Sequence, residues 1–294
     1  MIDRLVLGTV QLGMPYGINN KIGKLDFNSA RDIVKTAFDH GIVRFDTAQA
    51  YGDSEEILGK VFDNLKINTK VKVYSKIDPK LNLRDEFAVR QSVEGSLRKL
   101  KIDRLEGLLL HHEDGLRFWA EGLGNVLQGL VTKGKVKLIG GSFYTPQKAL
   151  EALGFDGIDM VQVPANILDR RFEDAGVFKK ARECGKEVFV RSIFLQGLLL
   201  IPLDRVPDSL KHVLPYLEQL EQLAYSMKLT RSELALGYAA QRWPDSLVIF
   251  GAESSKQIAD NARTFLSKTA LKVDENIFKN VSENILNPML WSLS

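Results

Sequence analysis

Residues 41–60 read GIVRFDTAQAYGDSEEILGK, and the fold can be worked outward from them. Ile42, Val43 and Phe45 make a short strand-like apolar run that ends at Asp46. Tyr51-Gly52 then marks a turn before an amphipathic helix resumes. A strand passing through a polar loop into a helix is half of a βα unit. In barrels and open α/β sheets chemistry collects at that handover, so an acid at the strand end and a tyrosine five residues later mark a candidate active site. Taken singly the residues have plainer readings: Asp46 as a helix cap, Tyr51 as a ring lying on the surface of a turn.

The same alternation runs along the chain. Strand-length apolar runs are expected at 5–10, 43–46, 71–76, 105–111, 136–140, 160–163, 187–192 and 247–250. Between them apolar residues recur at helical spacing, as in Ala30, Ile33, Val34, Ala37 and Phe38. Strict alternation implies parallel strands with right-handed crossovers, and eight units in 294 residues favour a closed (β/α)8 TIM barrel, one domain over 1–294, above an open sheet. An open dinucleotide-binding sheet should carry Gly-x-Gly-x-x-Gly after its first strand. Here Gly8 and Gly13 are followed by Pro15 and Gly17, so a loop is expected at the glycines with no helix opening there. That first loop, 11–25, holds Tyr16, Asn19 and Asn20 and is placed to line a pocket. Asp26 or Asn28 can cap the helix that follows, which should end near Gly41.

Apolar residues at 45% and charged residues at 26% are ordinary globular usage, enough for a large core. The 40 basic and 37 acidic residues are interspersed, so nucleic acid is not implied as a partner. Cys184 is the only cysteine and cannot form an internal disulfide; its context, ARECGKE, reads as a helix end stopped by Gly185. The amino terminus lacks the apolar run of a signal peptide, and 193–203 is broken by Gln196, Gly197 and Pro202. A cytoplasmic location without membrane partners is the expectation. The sequence carries no signal of oligomeric state.

The string Gly-x-x-x-Phe-Asp-Thr-Ala-x-x-Tyr-Gly-x-Ser-Glu resembles the signature of the aldo-keto reductase family, and the later strand ends VYSKI, LLLHHED, LIGGSF, MVQVPAN, VFVRSIFLQG and VIFGAESSKQIADN continue the resemblance in order. It implies that Asp46, Tyr51, Lys76 and His111 are catalytic. The family's histidine lies eight residues after an aspartate, Asp103 here, which selects His111 over His112. On the coenzyme side the resemblance implies Ser142 and Gln162 at the nicotinamide amide, with Asn166 following, and Ser192, Gln196 and Gly197 over the pyrophosphate. Gly251, Ser255, Gln257, Asp260 and Asn261 would hold the adenosine end, with Lys256 in the same stretch. Two positions depart from the family: Phe143 replaces an asparagine, and Arg191 stands where many members stack a tyrosine on the nicotinamide, a place its guanidinium could take.

The implied chemistry is reduction of an aldehyde or ketone on a small molecule with NADPH, NAD being a second possibility, and no metal. Hydride delivery leaves negative charge on oxygen, which needs a proton donor. Tyr51 would donate, its high reference pKa lowered by Lys76, which Asp46 holds, while His111 orients the carbonyl. Ser254, Ser255, Lys256 and a helix start favour a 2′-phosphate; Glu253 opposes it. Rival readings are a coenzyme-binding regulatory subunit with little turnover, and a lyase using Lys76 as a Schiff base. For the substrate, Tyr16, Trp119, Phe143, Arg170 and Arg171 are candidates, with the tail 288–293 and Trp291 as a cap. The arginine pair would suit a sugar-like carbonyl bearing an anion, unless it merely pairs with Glu173 and Asp174 on the surface.

Overall fold

The computed structural model describes residues 2–20, 22–267, 269–274 and 276–292. Eight parallel strands close in sequence order, β1 (Leu5–Gly8), β2 (Arg44–Asp46), β3 (Lys72–Ile77), β4 (Leu105–Leu110), β5 (Val136–Ser142), β6 (Met160–Pro164), β7 (Glu187–Arg191) and β8 (Leu247–Phe250), with β8 returning to pair with β1. The (β/α)8 expectation holds, each strand lying where its apolar run placed it. The helices are α1 (Val10–Gly13), α2 (Phe27–Asp39), α3 (Ser54–Leu65), α4 (Glu86–Leu100), α5 (Gly124–Thr132), α6 (Pro146–Leu153), α7 (Arg171–Asp174), α8 (Val177–Glu183), α9 (Leu214–Ser226), α10 (Arg231–Arg242), α11 (Ser255–Leu266) and α12 (Glu283–Leu286).

One local expectation fails. The segment after β1 is a single helical turn, α1, where a loop was expected. Thr9 N–H donates to Asp46 O as the last bond toward β2, and the chain then coils so that Met14 N–H reaches Val10 O. The cap of α2 is Asp26, whose carboxylate accepts from Ser29 N–H at 2.7 Å, and the chain leaves the helix through Gly41 at φ 82°. Beyond α8, Gly185 takes φ 66° and Cys184 is exposed. Among the described residues no helix is long and apolar enough to cross a membrane.

Alternation along each strand makes two cores. Outward-facing residues such as Leu5, Leu7, Phe45, Val73 and Leu108 pack under the helices. Inward-facing Val6, Tyr74, Leu109, Met160, Phe189, Leu247 and Ile249 fill the barrel, Tyr74 edge-on to Phe189 at 4.8 Å. Each fully buried large apolar side chain contributes about 1.5–3 kcal/mol, so this plug makes a rigid floor.

Two residues beyond that layer, alternation turns the next residue of every strand or strand end inward at the carboxyl mouth. These eight are Gly8, Asp46, Lys76, His111, Ser142, Gln162, Arg191 and Gly251, and all line one cavity. A single polar ring therefore sits directly on the apolar plug.

Candidate active site

Tyr51 is delivered by a loop with little freedom. Thr47 N–H and Gln49 N–H donate to Tyr74 O and Lys76 O, at 2.8 and 3.0 Å, so the chain runs on beside β3 after β2 ends. Gly52 then turns it at φ 57°, against the backbone of Gly13: a Cβ on Gly52 would lie 2.3 Å from Gly13 O, and one on Gly13 only 1.8 Å from Tyr51 O. Ser54 Oγ lies within 3.0 Å of the Thr9 and Thr47 hydroxyls and donates to Thr9 O, while Ser75 Oγ donates to the buried Glu55 at 2.6 Å. The polar residues of the opening stretch that touch no cavity are thus the bracket of the loop.

Lys76 Nζ donates to Asp46 Oδ1 and Oδ2 at 2.8 and 2.6 Å and to Thr47 O at 3.0 Å. Asp46 is 4% exposed and Lys76 1%, so the pair is sealed from water. Asp46 is therefore no helix cap; the cap of α3 is Asp53. All three of its hydrogens are engaged, so Lys76 sits as an ion-pair partner and not as a free amine poised for a Schiff base, which speaks against the lyase reading. Gln162 Nε2 adds a 2.8 Å bond to Asp46 Oδ1.

Lys76 Nζ lies 5.0 Å from the centroid of the Tyr51 ring, and the His111 ring meets Tyr51 edge-on at 5.5 Å. Burial and then Asp46 push the Tyr51 phenol above its ordinary range, and Arg191 is the group that draws it down. The expected lowering by Lys76 is not found. Asp46 cancels that charge and outweighs it at the phenol. His111 is pushed down to about 4 by burial, then by Lys76 and Arg191, so its imidazole is neutral near pH 7 and has one N–H to give. Its Nδ1 is buried without a partner.

The cavity measures ≈ 760 Å³ and runs from this cluster to the start of α11. Besides the ring, Ser192, Gln196, Gly197, Lys256, Gln257, Asp260 and Asn261 line it. Ser255 is not among its lining residues, whereas Glu253 is. Asn166 lies behind the wall, donating to Ser192 O and accepting from Leu168 and Asp169 N–H. The first loop does reach the cavity with Tyr16, Gly17, Asn19 and Asn20, and Ile18 N–H bonds Gln196 O at 3.0 Å, bridging the mouth.

Several substrate-side expectations are corrected. Trp119 is buried beside Phe155 and Phe143 is a core residue, 1% exposed. Arg171 is held by Asp169 and Glu283, and Arg170 is hydrogen-bonded to Tyr238. Of the tail, Pro288 and Met289 line the cavity, Trp291 instead donates to Ile285 O, and Leu293 lies outside the described residues.

Tyr144 is a cavity residue that sequence reasoning missed. Its ring is stacked on His112 at 5.3 Å and carries the Arg191 guanidinium at 4.5 Å. Glu113 fixes it by accepting from Tyr144 and Thr145 N–H at 2.8 and 3.0 Å. Only its place two residues past Ser142 could have flagged it.

The sequence model described as Aldo/keto reductase family matches residues 4–276. The chain belongs to that family. It is 27% identical to an NADH-specific methylglyoxal reductase of Escherichia coli, over 96% of this chain and 95% of that protein. It is 24% identical to an L-glyceraldehyde 3-phosphate reductase of the same organism, over 96% and 91%. Among solved folds, this aldo-keto reductase family member superposes on an aldo-keto reductase from Bacillus halodurans in holo form with TM-score 0.73, at 20% identity over 94% and 95% of the two chains. A glycerol dehydrogenase from Gluconobacter oxydans gives 0.72 at 21% identity, over 91% and 87%.

Proposed function

We propose that the protein is a nicotinamide-coenzyme-dependent reductase of small aldehydes or ketones, with Tyr51 as general acid. The carrying observation is the buried Asp46–Lys76 pair beside the Tyr51 ring, with neutral His111 against it, at the head of a cavity of ≈ 760 Å³ that reaches the start of α11. The cavity fits such a coenzyme. Gly8 and Gly251 line it without side chains, and Ser142 and Gln162 offer a hydroxyl and a carboxamide at the catalytic end. Its far end opens on α11, whose start is capped by the Ser254 hydroxyl.

When bound, the coenzyme supplies hydride. The chain's own residues do the rest. His111, neutral, gives its N–H to the carbonyl oxygen and orients it without protonating it. Tyr51 stays protonated near neutrality because burial and Asp46 hold its proton, and it passes that proton on as charge grows on the oxygen. Arg191, the cation that draws the Tyr51 phenol down, stabilises the phenolate left behind. Methylglyoxal, the substrate in the name of one relative, has the size of molecule this reading calls for.

Coenzyme preference is governed at the other end. The NADPH expectation leaned on Lys256, but its ammonium is tied to Asp260 at 2.6 Å while Glu253 lines the cavity. We therefore propose that both NADH and NADPH serve, with narrow discrimination. The test is coenzyme titration by quenching of tryptophan fluorescence, followed by oxidation of the reduced coenzyme with methylglyoxal and glyceraldehyde. Binding with turnover is the expected result. Binding without turnover on any carbonyl would return the protein to the regulatory-subunit reading, and no binding would remove both.

A further inference from the structure

The polar ring holds three ionic groups, and they do not cancel. Asp46 and Lys76 neutralise each other, which leaves Arg191 as one net positive charge beside neutral His111. Among the described residues Arg191 has no carboxylate partner. Its Nη2 donates to Phe143 O at 3.2 Å and its Nη1 to Ser192 Oγ at 3.3 Å, both neutral acceptors, and Tyr144 covers one face of the guanidinium. Two of five N–H groups are used, and the Nε is buried without a partner. The other cations lining the cavity are paired, Lys76 with Asp46 and Lys256 with Asp260. The charge of Arg191 is felt at Tyr16, Tyr51 and His111, all of which line the same cavity.

We propose that Arg191, covered on one face by Tyr144, receives an anionic group of the substrate, so that the preferred carbonyl compound carries a carboxylate or phosphate close to its reacting carbon. The inference rests on the reductase reading above. A partly desolvated guanidinium without a counter-ion is costly, and its planar fork matches carboxylate and phosphate oxygens, so an anionic ligand offsets the cost. Arg191 shares one ring of inward positions with Lys76 and His111, which keeps the distance from anion to carbonyl short. That favours a 2-oxo acid or a small phosphorylated aldehyde over a long-chain acid. The anion role expected for Arg170 and Arg171 thus passes to a different arginine, because those two are engaged outside the cavity.

The coenzyme competes for Arg191, through its pyrophosphate charge or through its nicotinamide stacking on the guanidinium, and the experiment separates coenzyme from substrate. Wild type, Arg191→Met and Arg191→Lys are compared for NADH and NADPH affinity by tryptophan quenching, which also reports whether each variant folds. KM and kcat are measured on the pairs glyoxylate against glycolaldehyde and glyceraldehyde 3-phosphate against glyceraldehyde. Binding of oxamate, which is not reduced, and of inorganic phosphate to the protein–coenzyme complex is measured by calorimetry. Expected is a preference of wild type for the anionic member of at least one pair, lost about 10- to 100-fold in Arg191→Met, as for removal of a charged hydrogen bond, and partly kept in Arg191→Lys. The carboxylate pair and the phosphate pair distinguish the two anions. Equal use of charged and neutral members by wild type, or a preference that survives in Arg191→Met, overturns the proposal. So does a variant whose only defect is weak coenzyme binding, which would assign Arg191 to the coenzyme. If no carbonyl is reduced at all, the reductase reading fails, and Arg191-dependent binding of oxamate or phosphate still decides the anion site.

Discussion

Gln162 Nε2 donates to Asp46 Oδ1 at 2.8 Å, a bond that spans the barrel mouth between β6 and β2, strands on opposite sides of the closed sheet. Asp46 Oδ1 thereby accepts from both Gln162 and Lys76. With its amide hydrogens turned to Asp46, Gln162 presents Oε1 as an acceptor to the cavity. Gln162→Leu should cost about 1.5–3 kcal/mol of stability, as for a lost hydrogen bond to a charged group, and should also weaken coenzyme binding. Urea unfolding and coenzyme titration of the variant check both; a variant as stable as wild type would mean the cross-barrel bond contributes nothing.

The sealed pair makes a sharper demand. Removing one partner leaves a buried, unpaired charge, so Asp46→Asn and Lys76→Met should each lose about 3–5 kcal/mol. The double variant leaves no orphan and should lose clearly less than the sum. A double-mutant cycle by urea unfolding measures this, and additive losses would show that Asp46 and Lys76 act independently despite their 2.6 Å contact.

Part of this site was legible because a polar residue stands at or near the end of six of the eight apolar runs. Asp46 and Lys76 could be located as ends of apolar runs, whereas His111, Ser142, Gln162 and Arg191 were singled out by the family resemblance; alternation turns all six toward one cavity. What was not legible depended on partners distant in sequence. Arg171 looked available, yet one of its acids is Glu283, brought up by α12. Lys76 looked like the cation that would ease Tyr51 ionisation, but its charge is spent on Asp46, and Arg191 from β7 acts on the phenol instead. The turn α1 has only four residues, too few for a helical period to register.

Tyr51→Phe should lower carbonyl reduction by about 10² to 10⁴-fold, the usual worth of a general acid. Coenzyme affinity should change little, because the substitution removes the hydroxyl and leaves the ring that packs on Lys76 and His111. Steady-state turnover and coenzyme titration on the same preparation test the point. Turnover near wild type would take Tyr51 out of the proton transfer.

At the adenosine end, Lys256 and Asp260 should set the balance between the two coenzymes. Lys256→Ala should shift the ratio of affinities toward NADH, and Glu253→Gln and Asp260→Asn toward NADPH, the last by freeing Lys256. Dissociation constants for both coenzymes check this, and an unaltered ratio in Asp260→Asn would place the 2′-phosphate away from Lys256.

His111 links the site to pH. Its pKa in the fold is about 4, against about 6.5 when unfolded, so between those values the unfolded chain binds the extra proton. Stability therefore rises with pH through that window. The contribution of His111 is fully present above pH about 6.5, declines as the pH falls, and is gone below about 4, for a total of up to about 3 kcal/mol. His111→Gln keeps a hydrogen-bonding side chain but cannot titrate. The variant should lose less stability than wild type between pH 7 and pH 4, with other carboxylates and histidines common to both proteins and cancelling in the difference. Urea midpoints across that range provide the comparison, and parallel pH profiles for the two proteins would mean that His111 is protonated as readily in the fold as in the unfolded chain. Turnover gives a second readout. As the pH approaches about 4, wild type should lose activity as the imidazole gains a proton next to Lys76 and Arg191, the two charges that oppose it.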